Sequence, residues 1–416
     1  MNYLKPISIS LSPNTEPDDV WLALKLIFRP KSWHNWEKNK ELEEDFKKYL
    51  GVAHATPFNS GRSALMAILD SLELKKNSEI LLQAFTCNAA ANPIIWSGLK
   101  PIYVDCDEMT LNIDVEDLKK KITPKSKAVM IQHTFGLPAD INEILEICQK
   151  NNLILIEDCA HSLGATQKGK KIGTFGKAAF FSFGRDKVIS SVYGGMVVTN
   201  DDNLAEKIRK YQKSIKHSSH FWIFQQLLHP ILMNWLILPT YKILGKYLLV
   251  LFQWLQVLTK AVHWKEKIGE KPNYFPKRLP NNLAVLVLNQ LKKLERFNQH
   301  RQEIAEFYND NLRNLDFILP KEYPGRVYMR YSILAKNYNT DKILKEARKK
   351  RIFLDDNWRK TPIVPPDTNQ EKLGYISGSC SNAEKVAKNI LNLPTHINIS
   401  KKEAEIIVEF LKSYGN

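Results

Sequence analysis

The sequence predicts an α/β protein built on a mostly parallel sheet covered by helices on both faces. Three observations predict it. Between about residues 56 and 201, short apolar runs alternate with helix-like stretches. The runs Leu153-Ile154-Leu155-Ile156 and Ala178-Ala179-Phe180-Phe181 are apolar throughout, as strands buried on both faces are. After a long amphipathic stretch, the chain ends in a smaller α/β part.

The elements follow in order. Residues 60–74 read as a helix entered through a small-residue turn. Strands are predicted at 79–82, 100–105, 128–133, 153–157, 178–183 and 195–199, with a helix at 141–150 between two of them. Strands separated by helices imply a parallel sheet with both faces covered. Residues 281–312 read as one long helix. Pro280 and two asparagines mark its start, and Leu283, Leu286, Leu291, Leu294 and Phe297 recur at roughly helical spacing. The expected division is a large domain over 1–262, then a linking helix and small C-terminal domain over 263–416.

The 416 residues allow two or three domains. A net charge of +16 favours anionic partners, such as nucleotide diphosphates or acidic membrane surfaces. The basic residues are scattered, so nucleic acid is not an expected partner; Lys119-Lys120-Lys121 reads as a solvated helix face. The odd count of five cysteines, with no C-x-x-C pair, argues against a disulfide framework and for a reducing cytoplasm. The N-terminus lacks the apolar core of a signal peptide.

Residues 221–262 are unusual. Two apolar arms, 227–238 and 243–258, flank Pro239-Thr240-Tyr241-Lys242, and the only charges are Lys242, Lys246 and Lys260. Neither arm reaches the roughly 18–20 apolar residues that span a bilayer. Trp222, Trp235, Tyr241, Tyr247 and Trp254 are residue types favoured at a membrane interface. A hairpin lying in an anionic membrane surface and a helical pair buried against protein both fit this pattern.

Two residues carry the chemistry. Asp158 ends one buried run, and Lys187 follows another through Ser182-Phe183-Gly184-Arg185-Asp186. Both fall at the C-terminal edge of a parallel sheet, where such sheets place ligands. An amine and an acid at that edge suit pyridoxal phosphate. The lysine forms an imine with the cofactor aldehyde, and the acid keeps the pyridine nitrogen protonated. His161, three residues after Asp158, could reach the ring hydroxyl or stack on the ring. Asn59-Ser60-Gly61-Arg62-Ser63 opens a helix whose free N–H groups suit a phosphate, with Arg62, Ser63 and Ser182 as further donors. No metal site is expected, because the ten histidines are dispersed and no ligand spacing appears.

With these motifs in order, the chain resembles the DegT/DnrJ/StrS family of pyridoxal-phosphate-dependent sugar aminotransferases. The resemblance runs through Ser60-Gly61-Arg62-Ser63-Ala64-Leu65, Lys100-Pro101-Ile102-Tyr103-Val104-Asp105 and His133-Thr134-Phe135-Gly136-Leu137-Pro138. It continues through Glu157-Asp158-Cys159-Ala160-His161-Ser162, Phe181-Ser182-Phe183-Gly184-Arg185-Asp186-Lys187 and Asn392-Leu393-Pro394-Thr395-His396. It implies fold type I, a homodimer with active sites at the subunit interface, and amino-sugar formation for polysaccharide biosynthesis. It further implies Lys187 as the imine-forming lysine, Asp158 as the pyridinium partner and His161 at the ring oxygen. Ser182 with the turn at Gly61, Arg62 and Ser63 would hold the phosphate. Arg278 matches a family arginine in the segment that reaches the neighbouring subunit. The chain departs from the pattern at Cys87, where the family carries an aromatic that stacks on the cofactor, at Pro276, which replaces an asparagine, and in the insertion 221–262.

The expected reaction is transfer of an amino group from an amino acid, glutamate in this reading, to a nucleotide-linked keto-sugar. A peripheral site on the inner membrane face is a further expectation from 221–262. Three alternatives stay open: a dehydratase of the same family, a cysteine desulfurase using Cys380, and a non-catalytic membrane-associated scaffold.

Overall fold

The computed structural model describes residues 5–415. Seven strands form the central sheet: β1 (His54–Phe58), β2 (Glu79–Gln83), β3 (Lys100–Val104), β4 (Ser126–Gln132), β5 (Ile154–Asp158), β6 (Ala178–Ser182) and β7 (Gly195–Thr199). Their spatial order is β1-β7-β6-β5-β4-β2-β3. β3, β2, β4, β5 and β6 pair in parallel, and β7 runs antiparallel to both its neighbours. Every residue of β2 and β7 is buried, which explains their continuous apolar reading.

Register sets the site. Phe180 of β6 pairs with Asp158 of β5, so both strands end at one level of the sheet. The helix α2 (Gly61–Ser71) enters directly after β1, and its first turn lies against the end of β6. A Cβ on Gly61 would stand 3.0 Å from the Cβ of Ser182, and one on Gly195 would stand 2.4 Å from the Ser60 carbonyl carbon. Two glycines therefore let the helix start press onto two strand ends.

The stretch 281–312 is two helices rather than one: α5 (Asn281–Leu291) and α6 (Leu294–Leu312). Lys293, at the break, extends its ammonium to Glu16, Asp18 and Asp19 at 3.2 Å or closer. Those acids open α1 (Pro17–Ile27), a helix that the sequence reading did not predict. The two pieces serve two cores. Leu283, Leu286 and Val287 of α5 pack into the sheet's core, as do Leu294 and Phe297 of α6. Ile304, Tyr308 and Leu312, further along α6, pack into a second core with β8 (Tyr331–Leu334) and β9 (Ile390–Leu393).

The insertion holds α3 (His220–Leu232), two short π-helical turns and α4 (Lys246–Trp254). Its two arms bend by 112°, and no single helix among the described residues is long and apolar enough to cross a membrane. Trp222, Ile223, Leu227 and Ile231 of α3 are buried, whereas α4 buries no residue completely.

Candidate active site

A cavity of about 630 Å³ opens at the C-terminal edge of the sheet. Asp158, His161, Ser182, Lys187, Gly61, Arg62 and Cys87 all line it. Ser63 does not. Its hydroxyl donates to Asn59 Oδ1 at 2.6 Å, and its N–H donates to Ser60 Oγ at 3.0 Å, so it is held inside the cap that Ser60 forms.

Asp158 is buried at the end of β5 and accepts one hydrogen bond, from Ala160 N–H at 3.0 Å. Burial pushes its carboxyl up to about 6, and the Ala160 N–H and the Lys187 charge offset only part of that. His161 Nε2 lies 3.1 Å from Lys187 Nζ. Its Nδ1 faces the Phe135 N–H at 3.4 Å on the other side of the ring. Burial, then the charges of Lys187 and Arg330, hold the imidazole well below its ordinary range, so it is neutral.

The backbone around Lys187 is clamped from outside the sheet. Asn14 donates its side-chain amide to the Lys187 carbonyl. Arg301 of α6 donates to Asn14 Oδ1 and to the Val188 carbonyl, each at 2.7 Å.

Arg330 was not singled out by the sequence reading. Arg330 reaches Asp186 and Asp356, each at 2.7 Å, beneath the rings of Phe135 and Trp358. His161 stacks on Phe135 at 5.4 Å and 11°, and meets the edge of Trp358 at 4.9 Å. One signal lay in the sequence: Asp186 is next to Lys187, and an acid in that place calls for a cation.

Arg62 is not a free anion receptor. Its guanidinium forms a buried ion pair with Glu266 and donates to the Ala261 carbonyl at 3.2 Å. The thiol of Cys87 accepts from Ala89 N–H at 3.5 Å, and burial raises its pKa. Arg278 bonds to the Gln212 carbonyl at 2.8 Å and bridges to Phe58, away from the cavity. Cys380 also lies outside the cavity, buried beside Lys121 at 3.4 Å.

The donor set fits pyridoxal phosphate. Lys187 offers an amine and Asp158 a buried acid. The first-turn N–H groups of Gly61 and Arg62, with Ser182 Oγ, offer a phosphate cradle.

Three comparisons bear on this site. The model of the DegT/DnrJ/EryC1/StrS aminotransferase family matches residues 18–225 and 255–412. GDP-perosamine synthase of Caulobacter vibrioides is 28% identical, over 89% of this chain and 88% of its own. The dTDP-3-amino-3,6-dideoxy-alpha-D-galactopyranose transaminase of Aneurinibacillus thermoaerophilus is 26% identical, over 90% and 89%. Among solved structures, PseC of Helicobacter pylori, an aminotransferase, superposes with a TM-score of 0.75 at 23% identity, over 99% of both chains. Spr1654 of Streptococcus pneumoniae, in its PLP form, gives 0.77 at 19% identity, over 99% and 98%.

Proposed function

The chain belongs to the DegT/DnrJ/EryC1/StrS aminotransferase family, and from that premise we propose how its own residues divide the work. It is a pyridoxal-phosphate-dependent sugar aminotransferase of fold type I. The acceptor in this reading is a keto-sugar linked to a nucleotide diphosphate, and the donor is an amino acid such as glutamate. The observation that carries the assignment of roles is the meeting of Lys187, Asp158 and His161 in one cavity at the sheet edge.

When bound, the cofactor supplies an aldehyde that condenses with amines and a cationic ring that draws electrons from the reacting carbon. Lys187 Nζ is the base that lifts the α-proton of the donor and the acid that returns a proton to the product carbon. Asp158 would hold the proton on the ring nitrogen, its carboxylate favoured by the ring's positive charge. His161, neutral, places its Nε2 beside Lys187 Nζ and would be the residue that meets the cofactor's ring oxygen. Ser182, Gly61 and the backbone of Arg62 hold the phosphate; Ser63 supports that turn from behind. Cys87 leaves room where relatives carry a stacking aromatic, and Phe135 and Trp358 pack His161 into position instead.

We extend the proposal to the assembly. The chain works as a homodimer on the cytoplasmic side, with 1–262 as its large domain and 263–416 as a linking helix and small C-terminal domain, and 221–262 touches an anionic membrane. The dimer is supported by family membership. Membrane contact is supported by the exposed apolar residues of α4. The dehydratase reading is disfavoured by retention of Lys187, the desulfurase reading by the buried position of Cys380 outside the cavity, and the scaffold reading by the complete donor set.

The test pairs two measurements. The protein is reduced with borohydride in the presence of pyridoxal phosphate and mapped by mass spectrometry. The aminated form is then given a panel of nucleotide keto-sugars. An adduct at Lys187 and an amino-sugar product are the expected results. An adduct on another lysine, or no product from any keto-sugar, would overturn the reading.

A further inference from the structure

The family match stops at 225 and resumes at 255. The unmatched stretch sends His229, Met233, Leu249 and Gln253 to the wall of the active cavity. Leu249 and Gln253 are one turn apart on a single face of α4. Its other face carries Tyr247, Val250, Leu251 and Trp254 at i, i+3, i+4 and i+7. That is the spacing of an apolar stripe, which a globular helix normally turns inward. Here it points out: Tyr247 is 62% exposed, Val250 66% and Trp254 76%. The patch extends across Ile243 and Leu244, and exposed Trp235 meets exposed Trp21 of α1 edge-on at 5.0 Å.

Charge selects the occupant. Residues 221–262 contain Lys242, Lys246 and Lys260 and no Asp or Glu, in a chain of net charge +16. In a two-fold dimer through this face, the patch would meet its own positive charge. An anionic bilayer accommodates the apolar stripe and attracts the segment's net positive charge. Tryptophan and tyrosine suit the headgroup level, and lysines gain from the negative surface potential.

The exit from α4 is tied to the chemistry. Arg185, two residues before Lys187, donates to the Thr259 carbonyl at 2.6 Å. Tyr193 Oη–H donates to the Lys260 carbonyl at 2.7 Å, and Arg62 to that of Ala261 at 3.2 Å. Residues 255–261 thus join the exposed helix to the cavity rim.

We propose that α4 is a membrane-seated wall of the acceptor site. Its outer stripe docks on an anionic bilayer, and docking holds Leu249 and Gln253 against the acceptor, so the enzyme captures acceptor best at the membrane. This rests on the aminotransferase reading above and adds a regulator to it.

The experiment uses the full chain loaded with cofactor. Vesicles of phosphatidylglycerol with phosphatidylcholine, and of phosphatidylcholine alone, are used in sedimentation and in steady-state assays. Anionic vesicles should pull the protein down, lower the acceptor KM by about fivefold or more, and leave the donor half-reaction unchanged. The triple variant Tyr247→Ser, Val250→Ser, Trp254→Ser should lose both vesicle effects while its vesicle-free acceptor kinetics match wild type. Failure to sediment, sedimentation without a change in KM, or a dimer that the triple variant dissociates would each overturn the proposal. A donor half-reaction absent from every sample would instead sink the aminotransferase reading, and sedimentation would still report on docking.

Discussion

His161 Nε2 lies 3.1 Å from Lys187 Nζ, and the imidazole is pinned in that place by Phe135 on one face and Trp358 at its edge. The lysine therefore meets a neutral imidazole fixed in place. Four predictions follow from this arrangement and its surroundings.

His161 should not titrate in the working range. Burial and two nearby cations hold its pKa well below 6.5. Protonation needs a lower pH, so raising pH through neutrality changes nothing at this ring. His161→Gln should lower kcat by about 10-fold to 100-fold and leave the shape of the pH profile as it is. An acidic limb near 6.5 that disappears in the variant would contradict this.

Asp158 should make the cofactor-free fold less stable at neutral pH. Its folded pKa is raised from 3.8 to about 6, so the unfolded chain loses the proton first as pH rises. Stability is fully present below the lower value and falls through this window, by about 3 kcal/mol once both forms are ionised. Cofactor-free Asp158→Asn should thus resist urea better than wild type at about pH 7, with the gap closing towards about pH 4. The same variant should lose activity. A gap that does not change with pH would reject the assignment.

Gly61→Ala should weaken cofactor binding without unfolding the protein. The added Cβ would stand 3.0 Å from Ser182 Cβ and 3.3 Å from its Oγ, pushing the helix start off the strand end. Alanine is no worse than glycine for the helix itself. Affinity for pyridoxal phosphate, followed by quenching of tryptophan fluorescence, should drop about tenfold, or ~1.4 kcal/mol. Unchanged affinity would mean the phosphate sits elsewhere.

Arg330→Met should destabilise the fold by about 3–5 kcal/mol, because it leaves the buried Asp356 without its cation and strips an ion pair from the partly exposed Asp186. Arg330→Lys should recover only part of this, since an ammonium cannot serve both carboxylates in the fork geometry of a guanidinium. Urea midpoints of the two variants give the ordering. Equal midpoints would show that the fork is dispensable.

The chemistry was legible in the sequence because buried parallel strands write continuous apolar runs. The polar residues that end those runs, Asp158 and Ser182, are thereby placed at the ligand edge. The helix start at Gly61 was legible from its cap. Arg330 was not: in Tyr328-Met329-Arg330-Tyr331 it reads as any exposed arginine, and its two acids are 144 and 26 positions away. The break at Lys293 was hidden because the apolar period continues across it, and only the distant acids of α1 reveal the turn. Residues 221–262 gave their composition but not their orientation. A helical stripe has the same spacing whether it faces a core or the outside.

The grip of Arg301 on the Val188 carbonyl, and through Asn14 on that of Lys187, has a mechanical meaning. Arg301 sits on α6, a rod of about 28 Å whose far end is embedded in the second core. Any tilt of that distal body is levered straight to the nucleophile. Substitutions around Tyr308 or Leu312, which do not line the cavity, should therefore surface as altered turnover before they surface as lost solubility.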